Sequence, residues 1–423
     1  MNGALRAGYA GAAQFARALA AIAPSSRNKL VETFALRRGV VARFERFHRD
    51  ASRPLLWMHA PSVGEGLQAR PVLELARFRD PALQLTYTYF SPSAQAFADQ
   101  LAVDFQDVLP FDHAGDMRRV LAALAPTALV FSKVDIWPML AREARARGTR
   151  LGLISATMSR GSSRQSGLAV ALLRDAYARI DRVGAISAED ADRLVALGVP
   201  ASRISVTGDT RYDQVWARAH GGDGARSAFG VLSSDRPTLV AGSTWPSDET
   251  VLLPAWTRLR TRLNDARLII APHEPTPQHV ADVERWAAGA GLRWSRLGDA
   301  TADADVIIVD RVGVLGDLYS LASVAYVGGA FHTAGLHSVL EPAAFGVPVI
   351  FGPRYTNSRD AVLLRDEDAA LSVSDVDTLV SALTRWLGSA PEGRAAGDAA
   401  ARVVHRGLGA AERSYALVKD LLA

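Results

Sequence analysis

The 423-residue sequence predicts an α/β protein with two doubly wound, Rossmann-like domains joined by a linker. Short apolar runs alternate with helical patterns along most of the chain, which is typical of parallel βαβ units. The alternation is interrupted by residues 218–237, which are rich in Gly and Ser and have no sustained period. The length also favours more than one domain.

The predicted strands follow one another in two similar series. In the first half they are PLLWMHA, LQLTYTYF, ALVFSKV, RLGLISA and RVGAIS. In the second half they are PTLVAGS, ARLIIAP, DVIIVD, VAYVGGA and VPVIFGP. Helical stretches such as ARPVLELARF and ETVLLPAWTRLRTRL lie between them. Because such folds bind ligands at the carboxyl ends of their strands, we expect a cleft between those ends of the two sheets.

This pattern divides the chain into five parts. They are a basic N-terminal region (1–50), a first Rossmann-like domain (51–217), the linker (218–237), a second domain (238–408) and a C-terminal helix (409–423). The final helix is long enough to cross back onto the first domain.

The N-terminal region carries most of the positive charge. Nine Lys and Arg against three acids give +6 in residues 1–50, so the rest of the chain sums to −2, since the whole chain is +4. Its apolar stretch, residues 4–23, contains Arg6 and Arg17 and is therefore too interrupted for a spanning helix or a cleaved signal. Two alternatives remain, a basic amphipathic helix on an anionic membrane surface or a plain docking helix.

Composition and motifs exclude several chemistries. The chain has no cysteine, which excludes disulfides, thiolate metal sites and cysteine nucleophiles. Neither a GxxxxGK[ST] nor a GxGxxG motif follows a predicted strand, and HExxH and EF-hand spacings are absent. We therefore expect no metal.

The first candidate catalytic residue is Glu65, in the stretch APSVGEGLQARP after the first predicted strand. A charged group is costly to bury unless it is paired. As an alternative to catalysis, Glu65 could complement the dipole at the start of a helix. The flanking Gly64 and Gly66 favour close approach of another molecule to the backbone.

Two further clusters in the first half carry charge. Lys133 and Asp135 alternate at the predicted end of a buried strand, where they form either an internal ion pair or part of a ligand site. Arg211 precedes the linker and can clamp an anion, although a salt bridge with Asp209 or Asp213 is an equal alternative.

The second half contains two candidate nucleotide-binding stretches. In VAGSTWPSDE, Gly242, Ser243 and Thr244 form a predicted turn before a helix that begins near Asp248, and such a turn can face an anion. In residues 326–353, a glycine pair precedes a loop with two histidines, which are either incidental or part of the site. A helix is predicted to start around Ser338, with Glu341 one turn inside it.

Taken in order, WMHAPSVGEGLQARPVLE, TGDTRYD, VAGSTWPSDE and YVGGAFHTAGLHSVLEPAAFGVPVIFGP closely resemble the 3-deoxy-D-manno-octulosonic acid (Kdo) transferases that act on lipid A. The resemblance covers roughly residues 50–370. It implies a GT-B fold, whose two domains face a central cleft, attached peripherally to the cytoplasmic face of the bacterial inner membrane. It implies inverting transfer of Kdo from CMP-Kdo to a lipid A precursor (lipid IVA) in lipopolysaccharide biosynthesis. No metal, other cofactor or nucleic acid is implied.

The resemblance also assigns residues. Glu65 matches the family's proposed base, and Arg211 replaces a lysine. The family's ETELWP block reads KVDIWP here, so Lys133 replaces the first acid and Asp135 is the better candidate for a supporting role. His273 replaces an arginine, and Val312 and Val314 replace the outer residues of a Met-Gly-Glu turn. The residues implied for CMP binding are Gly242, Ser243, Thr244, Pro272, His273, Val312, Gly313, Val314, Ser338, Val339, Leu340 and Glu341.

Because of these departures, two other functions stay open. One is a GT-B enzyme that uses a UDP-sugar, similar to lipid-A-disaccharide synthase or a UDP-sugar epimerase. The other is a non-catalytic, membrane-associated binding protein.

Overall fold

The computed structural model describes residues 3–24, 28–158, 167–221, 229–333 and 335–423. The chain forms two compact units, Met1–Gln214 with Leu408–Ala423, and Val215–Gly407. Each unit is built on a seven-stranded sheet in which all paired strands are parallel. The predicted α/β class with two Rossmann-like units is confirmed.

The first unit has strand order β3-β2-β1-β4-β5-β6-β7. Its strands are β1 (Leu55–His59), β2 (Gln84–Tyr89), β3 (Phe105–Val108), β4 (Ala128–Ser132), β5 (Arg150–Ala156), β6 (Arg182–Ala185) and β7 (Ile204–Val206). Its helices are α1 (Gly3–Ile22), α2 (Lys29–Ala35), α3 (Val40–Glu45), α4 (Val63–Arg79), α5 (Gln95–Ala98), α6 (Ala114–Leu124), α7 (Pro138–Ala146), α8 (Gly167–Tyr177), α9 (Ala188–Ala196) and the start of α10 (Arg211–His220).

The second unit has strand order β10-β11-β9-β8-β12-β13-β14. Its strands are β8 (Thr238–Thr244), β9 (Arg267–Pro272), β10 (Trp294–Arg296), β11 (Val306–Ile308), β12 (Val324–Val327), β13 (Val349–Phe351) and β14 (Ala370–Ser372). Its helices are α11 (Pro246–Arg260), α12 (Pro277–Gly289), α13 (Leu315–Leu318), α14 (Leu340–Ala344), α15 (Arg359–Asp366), α16 (Val376–Gly388) and α17 (Ala390–Gly407), and α18 (Ala410–Leu422) follows in the first unit.

The segment predicted as a linker is partly regular. Helix α10 continues to His220, and Gly230–Leu232 form a short 3-10 helix. The division between the units falls after Gln214, inside α10. Residues 222–228 lie outside the described residues.

The final helix α18 is fixed to the first unit at both ends. The Asp213 carboxylate accepts hydrogen bonds from the N–H groups of Gly409 (2.7 Å) and Ala411 (2.9 Å), at the start of the helix. Near its end, Leu421 is buried against β5, where a Cβ on Gly152 would lie 2.5 Å from the Leu421 side chain. A larger residue at position 152 would displace the Leu421 side chain, so glycine permits this packing.

The strand order reverses beside a central strand in each sheet, between β1 and β4 in the first unit and between β8 and β12 in the second. Doubly wound sheets bind ligands outside the carboxyl ends of the strands at such switch points. Glu65 and Lys133 follow β1 and β4, whereas Trp245 and the Gly328–Gly329 pair follow β8 and β12. The candidate residues thus lie where ligand chemistry is expected.

The N-terminal helix α1 is docked by polar contacts and exposes apolar side chains. Tyr9 donates a hydrogen bond to Asp112 (2.8 Å), and Arg17 forms an ion pair with Asp116 (3.0 Å). Phe15 and Ile22 are 67% and 77% exposed. In the part of the chain that the structure describes, no helix has the length and apolar character needed to cross a membrane.

Candidate active site

Glu65 lies in the first turn of α4 and is held by two donors. The Ser62 hydroxyl donates to Oε2, and the Lys133 ammonium donates to Oε1 at 3.0 Å. Burial opposes ionisation, but the bond from Ser62 and the charge of Lys133 outweigh it, so the pKa of Glu65 lies below its ordinary value. With its side chain 17% exposed, Glu65 is a carboxylate that solvent or a ligand can reach.

The two glycines beside Glu65 have different roles. A Cβ on Gly64 would have open space, with the Ser62 hydroxyl 3.8 Å away. A Cβ on Gly66 would lie 2.5 Å from the Phe97 ring and 2.7 Å from the Tyr87 hydroxyl. The expectation that both glycines admit another molecule is therefore wrong for Gly66, which is needed for packing inside the unit.

The predicted Lys133–Asp135 cluster lies in a loop, because β4 ends at Ser132. Lys133 forms the ion pair with Glu65, and the Ser132 hydroxyl donates to the Glu65 carbonyl at 3.0 Å. Asp135 lies near Tyr9 of α1. Burial and Asp112 raise the pKa of Tyr9, and the charge of Asp135 is the weakest of the causes that do so. The structure thus brings Lys133 to Glu65, and a supporting role for Asp135 stays a prediction.

Arg211 forms the salt bridge with Asp209 that the sequence left as an alternative. Its Nε and Nη2 atoms lie 2.9 and 2.7 Å from Oδ2 of the buried Asp209. Burial opposes ionisation of Asp209, but the Arg211 charge and hydrogen bonds keep its pKa below the ordinary value. Asp209 also accepts from Gln68 on α4 (3.1 Å), so Arg211 is linked to the helix that carries Glu65.

A buried histidine that the sequence did not single out supports this site. His59 ends β1, and its Nε2 accepts a hydrogen bond from the Trp137 indole at 3.0 Å. Its Nδ1 lies 2.9 Å from the Thr88 hydroxyl. Burial lowers the pKa of His59 to about 3, so the ring is neutral and fixes the loop after β4. In the sequence, the position of His59 at the end of an apolar strand was the available sign of its role.

In the second unit, the predicted turn at residues 242–244 is the end of β8. This corrects its assignment as a loop around an anion, since the strand includes Thr244. A Cβ on Gly242 would lie 2.2 Å from the Tyr319 hydroxyl, so this glycine serves packing. Thr244 is fully buried and donates to Glu249 (2.7 Å). Ser243 is partly exposed, with a φ of 52° that L residues rarely adopt.

Beyond β8, four rings stack on one another. The Trp245 ring centroid lies 4.2 Å from that of His332, at an interplanar angle of 4°, and 4.7 Å from that of His273. His273 and His337 are 4.4 Å apart, and the Trp245 indole donates to His337 Nε2 at 3.2 Å. The predicted His273 therefore stacks in one cluster with Trp245 and with both loop histidines, His332 and His337. Trp245 was not predicted from the sequence.

Asp248, at the start of α11, ties these loops together. Its fully buried carboxylate accepts from the N–H groups of Trp245 and Gly329, both at 2.9 Å, and from the Tyr326 hydroxyl at 3.2 Å.

Among the described residues, no group of three or more His, Asp or Glu is arranged to hold a metal ion.

The remaining predicted nucleotide residues lie on two loops and one strand end. Gly313 has a φ of 89° and Val312 is 75% exposed, whereas Pro272 is buried at the end of β9. The side chains of Val339 and Leu340 are buried in the core, so any contact of theirs with a nucleotide would come from the backbone. Ser338 is exposed ahead of α14.

Glu341 is placed differently from the prediction. Helix α14 begins at Leu340 rather than Ser338 and has five residues, so Glu341 lies in its first turn. Burial raises the pKa of Glu341, and the charge of Arg218 opposes this. Arg218 itself pairs with Asp317 at 2.8 Å.

Two units, each built on a doubly wound parallel sheet, are the architecture of the GT-B fold class. The fold is similar to UDP-GlcNAc 2-epimerase from Neisseria meningitidis bound to UDP-GlcNAc (TM-score 0.64, 12% identity, 87% of this chain and 99% of that one). It is also similar to a glycosyltransferase from Rickettsia africae (TM-score 0.58, 11% identity, 88% and 99%). At these identities the likeness shows the fold alone.

Sequence comparison gives the family. The protein-family model described as 3-deoxy-D-manno-octulosonic-acid transferase (kdotransferase) matches residues 38–214. The 3-deoxy-D-manno-octulosonic acid transferase of Bordetella pertussis is 31% identical over 90% of this chain and 91% of its own length. That of Aquifex aeolicus is 28% identical, over 78% and 86%. The chain therefore belongs to the Kdo transferase family, which confirms the resemblance in the sequence blocks.

Proposed function

We propose that this chain transfers Kdo from CMP-Kdo to a hydroxyl of a lipid A precursor such as lipid IVA, with inversion. The observation that carries the proposal is Glu65, an ionised carboxylate beside an open glycine at the switch point of the first sheet. An inverting displacement needs one base for the acceptor proton, and a positioned carboxylate contributes about 10²- to 10⁴-fold.

In this mechanism the acceptor oxygen forms a bond to the anomeric carbon of Kdo. The bond from that carbon to the CMP phosphate oxygen breaks, and its electron pair stays on the phosphate. The acceptor proton passes to Glu65, which Ser62 and Lys133 hold in place. Arg211 supplies positive charge. It is linked to the helix that carries Glu65, because its partner Asp209 also accepts a hydrogen bond from Gln68 on that helix.

The second unit would bind the donor. Kdo carries a carboxylate and CMP a phosphate, so the site must accommodate two anions. Backbone N–H groups near Gly313 and Ser338 and the imidazoles beside Trp245 are suited to this. Burial, with the neighbouring His273, lowers the pKa of His337, so that imidazole binds as a neutral hydrogen-bonding group at pH 7. Glu341 is available for the ribose hydroxyls.

The direct test incubates the purified protein with CMP-Kdo and a tetraacylated lipid A precursor. We expect release of CMP together with a lipid heavier by one or more Kdo residues, measured by mass spectrometry. Turnover of a UDP-sugar without turnover of CMP-Kdo would favour the alternative GT-B enzyme. Binding of CMP-Kdo without any transfer would favour a binding protein.

We also propose that the N-terminal helices rest on the anionic cytoplasmic face of the bacterial inner membrane. Phe15, Ile22 and Leu30 are 67%, 77% and 74% exposed, and the basic residues Lys29 and Arg38 of the same region are exposed as well. Apolar side chains beside basic ones are typical of helices that lie in a membrane interface.

The double substitution Phe15→Ser and Ile22→Ser is expected to weaken binding to phosphatidylglycerol vesicles. The loss should be about a hundredfold or more, because burying each such side chain contributes about 1.5–3 kcal/mol. Vesicle sedimentation measures the bound fraction. Val231→Ser, at a residue of the second unit that is 78% exposed, is the matched control and should leave binding unchanged. Equal binding of the double variant and the control would contradict the proposed membrane surface.

A further inference from the structure

Lys133 is an unusual cation in this chain. The 48 Lys and Arg residues include three lysines, which are Lys29, Lys133 and Lys419. All the others are arginines. The Lys133 ammonium lies 3.0 Å from Oε1 of Glu65, and its side chain remains 37% exposed. A compact point charge thus stands where arginine would bring a planar, five-donor group.

The backbone at Lys133 is strained. Its φ of 59° lies in the left-handed region, which residues with a Cβ rarely adopt. Such outliers persist where the surroundings fix them, and they cluster at functional sites. The position directly follows β4, beside the switch point of the sheet.

Neighbouring elements hold the strained loop on both sides. The Lys133 N–H donates to the Ile154 carbonyl of β5 at 2.9 Å. Tyr177 donates to the Val134 carbonyl at 2.6 Å, and the Trp137 indole donates to His59. These contacts therefore maintain a strained backbone at Lys133. In that conformation the Lys133 ammonium lies against the Glu65 carboxylate.

Among the described residues, the other titratable side chains coupled to Glu65 do not supply the opposite charge. Burial lowers the pKa of His59 to about 3, so it is neutral, and burial with the Glu65 charge raises the pKa of Tyr87, so it stays protonated. Ser62 contributes a neutral hydrogen bond. Each carboxylate oxygen accepts one bond from Ser62 or Lys133 and has a second lone pair for the acceptor hydroxyl.

We propose that Lys133 is the positioning residue of the catalytic base, holding Glu65 as an oriented carboxylate. This inference rests on the proposed function. Lys133 stays protonated through the reaction, while the acceptor proton moves from the hydroxyl oxygen to Glu65. The cation thus makes the base available at acidic as well as neutral pH.

The sign of the effect follows from the charge. Without the ammonium, the pKa of Glu65 rises, because an adjacent opposite charge no longer favours the ionised carboxylate. More of Glu65 is then protonated at low pH. The acid limb of the profile of kcat/KM against pH moves to higher pH, and activity recovers at alkaline pH.

The test compares pH profiles of Lys133→Met, Lys133→Arg and the wild type in the Kdo transfer assay. We expect Lys133→Met to lose about tenfold on the acid limb, with a much smaller loss at pH 8.5. Lys133→Arg should restore much of the acid limb. Lys419→Met, at an exposed lysine on α18, is the matched control and should keep the wild-type profile.

A uniform loss at every pH, or an unchanged acid limb, would overturn the role of Lys133. Lys133→Gly keeps the test valid if the methionine variant folds poorly, because glycine adopts a positive φ without strain. It must show the same shift of the acid limb. Absence of Kdo transfer by the wild type would instead refute the proposed function.

Discussion

Replacing Glu65 with glutamine is expected to lower kcat for Kdo transfer by about 10²- to 10⁴-fold, the usual contribution of a positioned general base. The amide has nearly the size of the carboxylate but cannot accept the acceptor proton. It also loses the ion pair with Lys133. Release of CMP from CMP-Kdo in the presence of the lipid acceptor measures the loss.

Glu74→Gln is the matched control for this substitution. Glu74 lies on the same helix, is 59% exposed and pairs with Arg70 at 2.7 Å, and it should retain wild-type activity. CMP binding to Glu65→Gln, measured by calorimetry, should be unchanged because the proposed donor residues lie in the second unit. A fully active Glu65→Gln variant would show that Glu65 is structural.

The lowered pKa of Glu65 also fixes the direction of the pH dependence. A carboxyl group whose pKa is lower in the folded protein adds stability that is present above its unfolded pKa. That stability is lost as the pH falls through the folded value. Activity and this part of the stability should therefore decline together in acid, and Glu65→Gln should remove this stability term.

Ten of the fourteen strands in the described residues were predicted, because they are buried on both faces, whereas the four that were missed, β3, β7, β10 and β14, are partly exposed at the sheet edges. Parallel sheets covered by helices give nearly continuous apolar runs, and PLLWMHA, residues 54–60, was predicted where β1 spans Leu55–His59. The run ARLIIAP at residues 266–272 similarly contains β9, which spans Arg267–Pro272. Local composition is sufficient for such elements.

The pairing inside the site was less predictable. Lys133 and Glu65 are 68 residues apart and meet because β1 and β4 are neighbours in the sheet. The resemblance to the family block favoured Asp135, but β4 ends at Ser132 and the loop turns through a positive φ at Lys133. That turn depends on bonds from β5 and α8, which no local pattern contains.

The ring stack of the second unit escaped prediction for a similar reason. Trp245, His273 and His332 come from three different loops and meet through the order of β9, β8 and β12. The turn after β8 was also predicted too early. The pairing of β8 with β9 shifts between Gly242 and Thr244, which extends the strand past Ser243.

Replacing Asp248 with alanine is expected to destabilise the second unit by about 3 kcal/mol, because buried donors left without an acceptor each cost about 1–3 kcal/mol. The substitution removes the acceptor for the N–H groups of Trp245 and Gly329 and for the Tyr326 hydroxyl. Urea unfolding followed by tryptophan fluorescence measures the change. Since Asp248 joins the loops after β8 and β12, the affinity for CMP should fall as well.

Asp282→Ala is the matched control for Asp248→Ala. Asp282 lies on α12 of the same unit, is 50% exposed and pairs with Arg285, so its loss should change stability by less than about 0.5 kcal/mol. Unchanged stability in Asp248→Ala would mean that water replaces the lost acceptor. Lowered stability with unchanged CMP affinity would separate the fold of these loops from donor binding, because the nucleotide would then not depend on the position of Trp245 or Gly329.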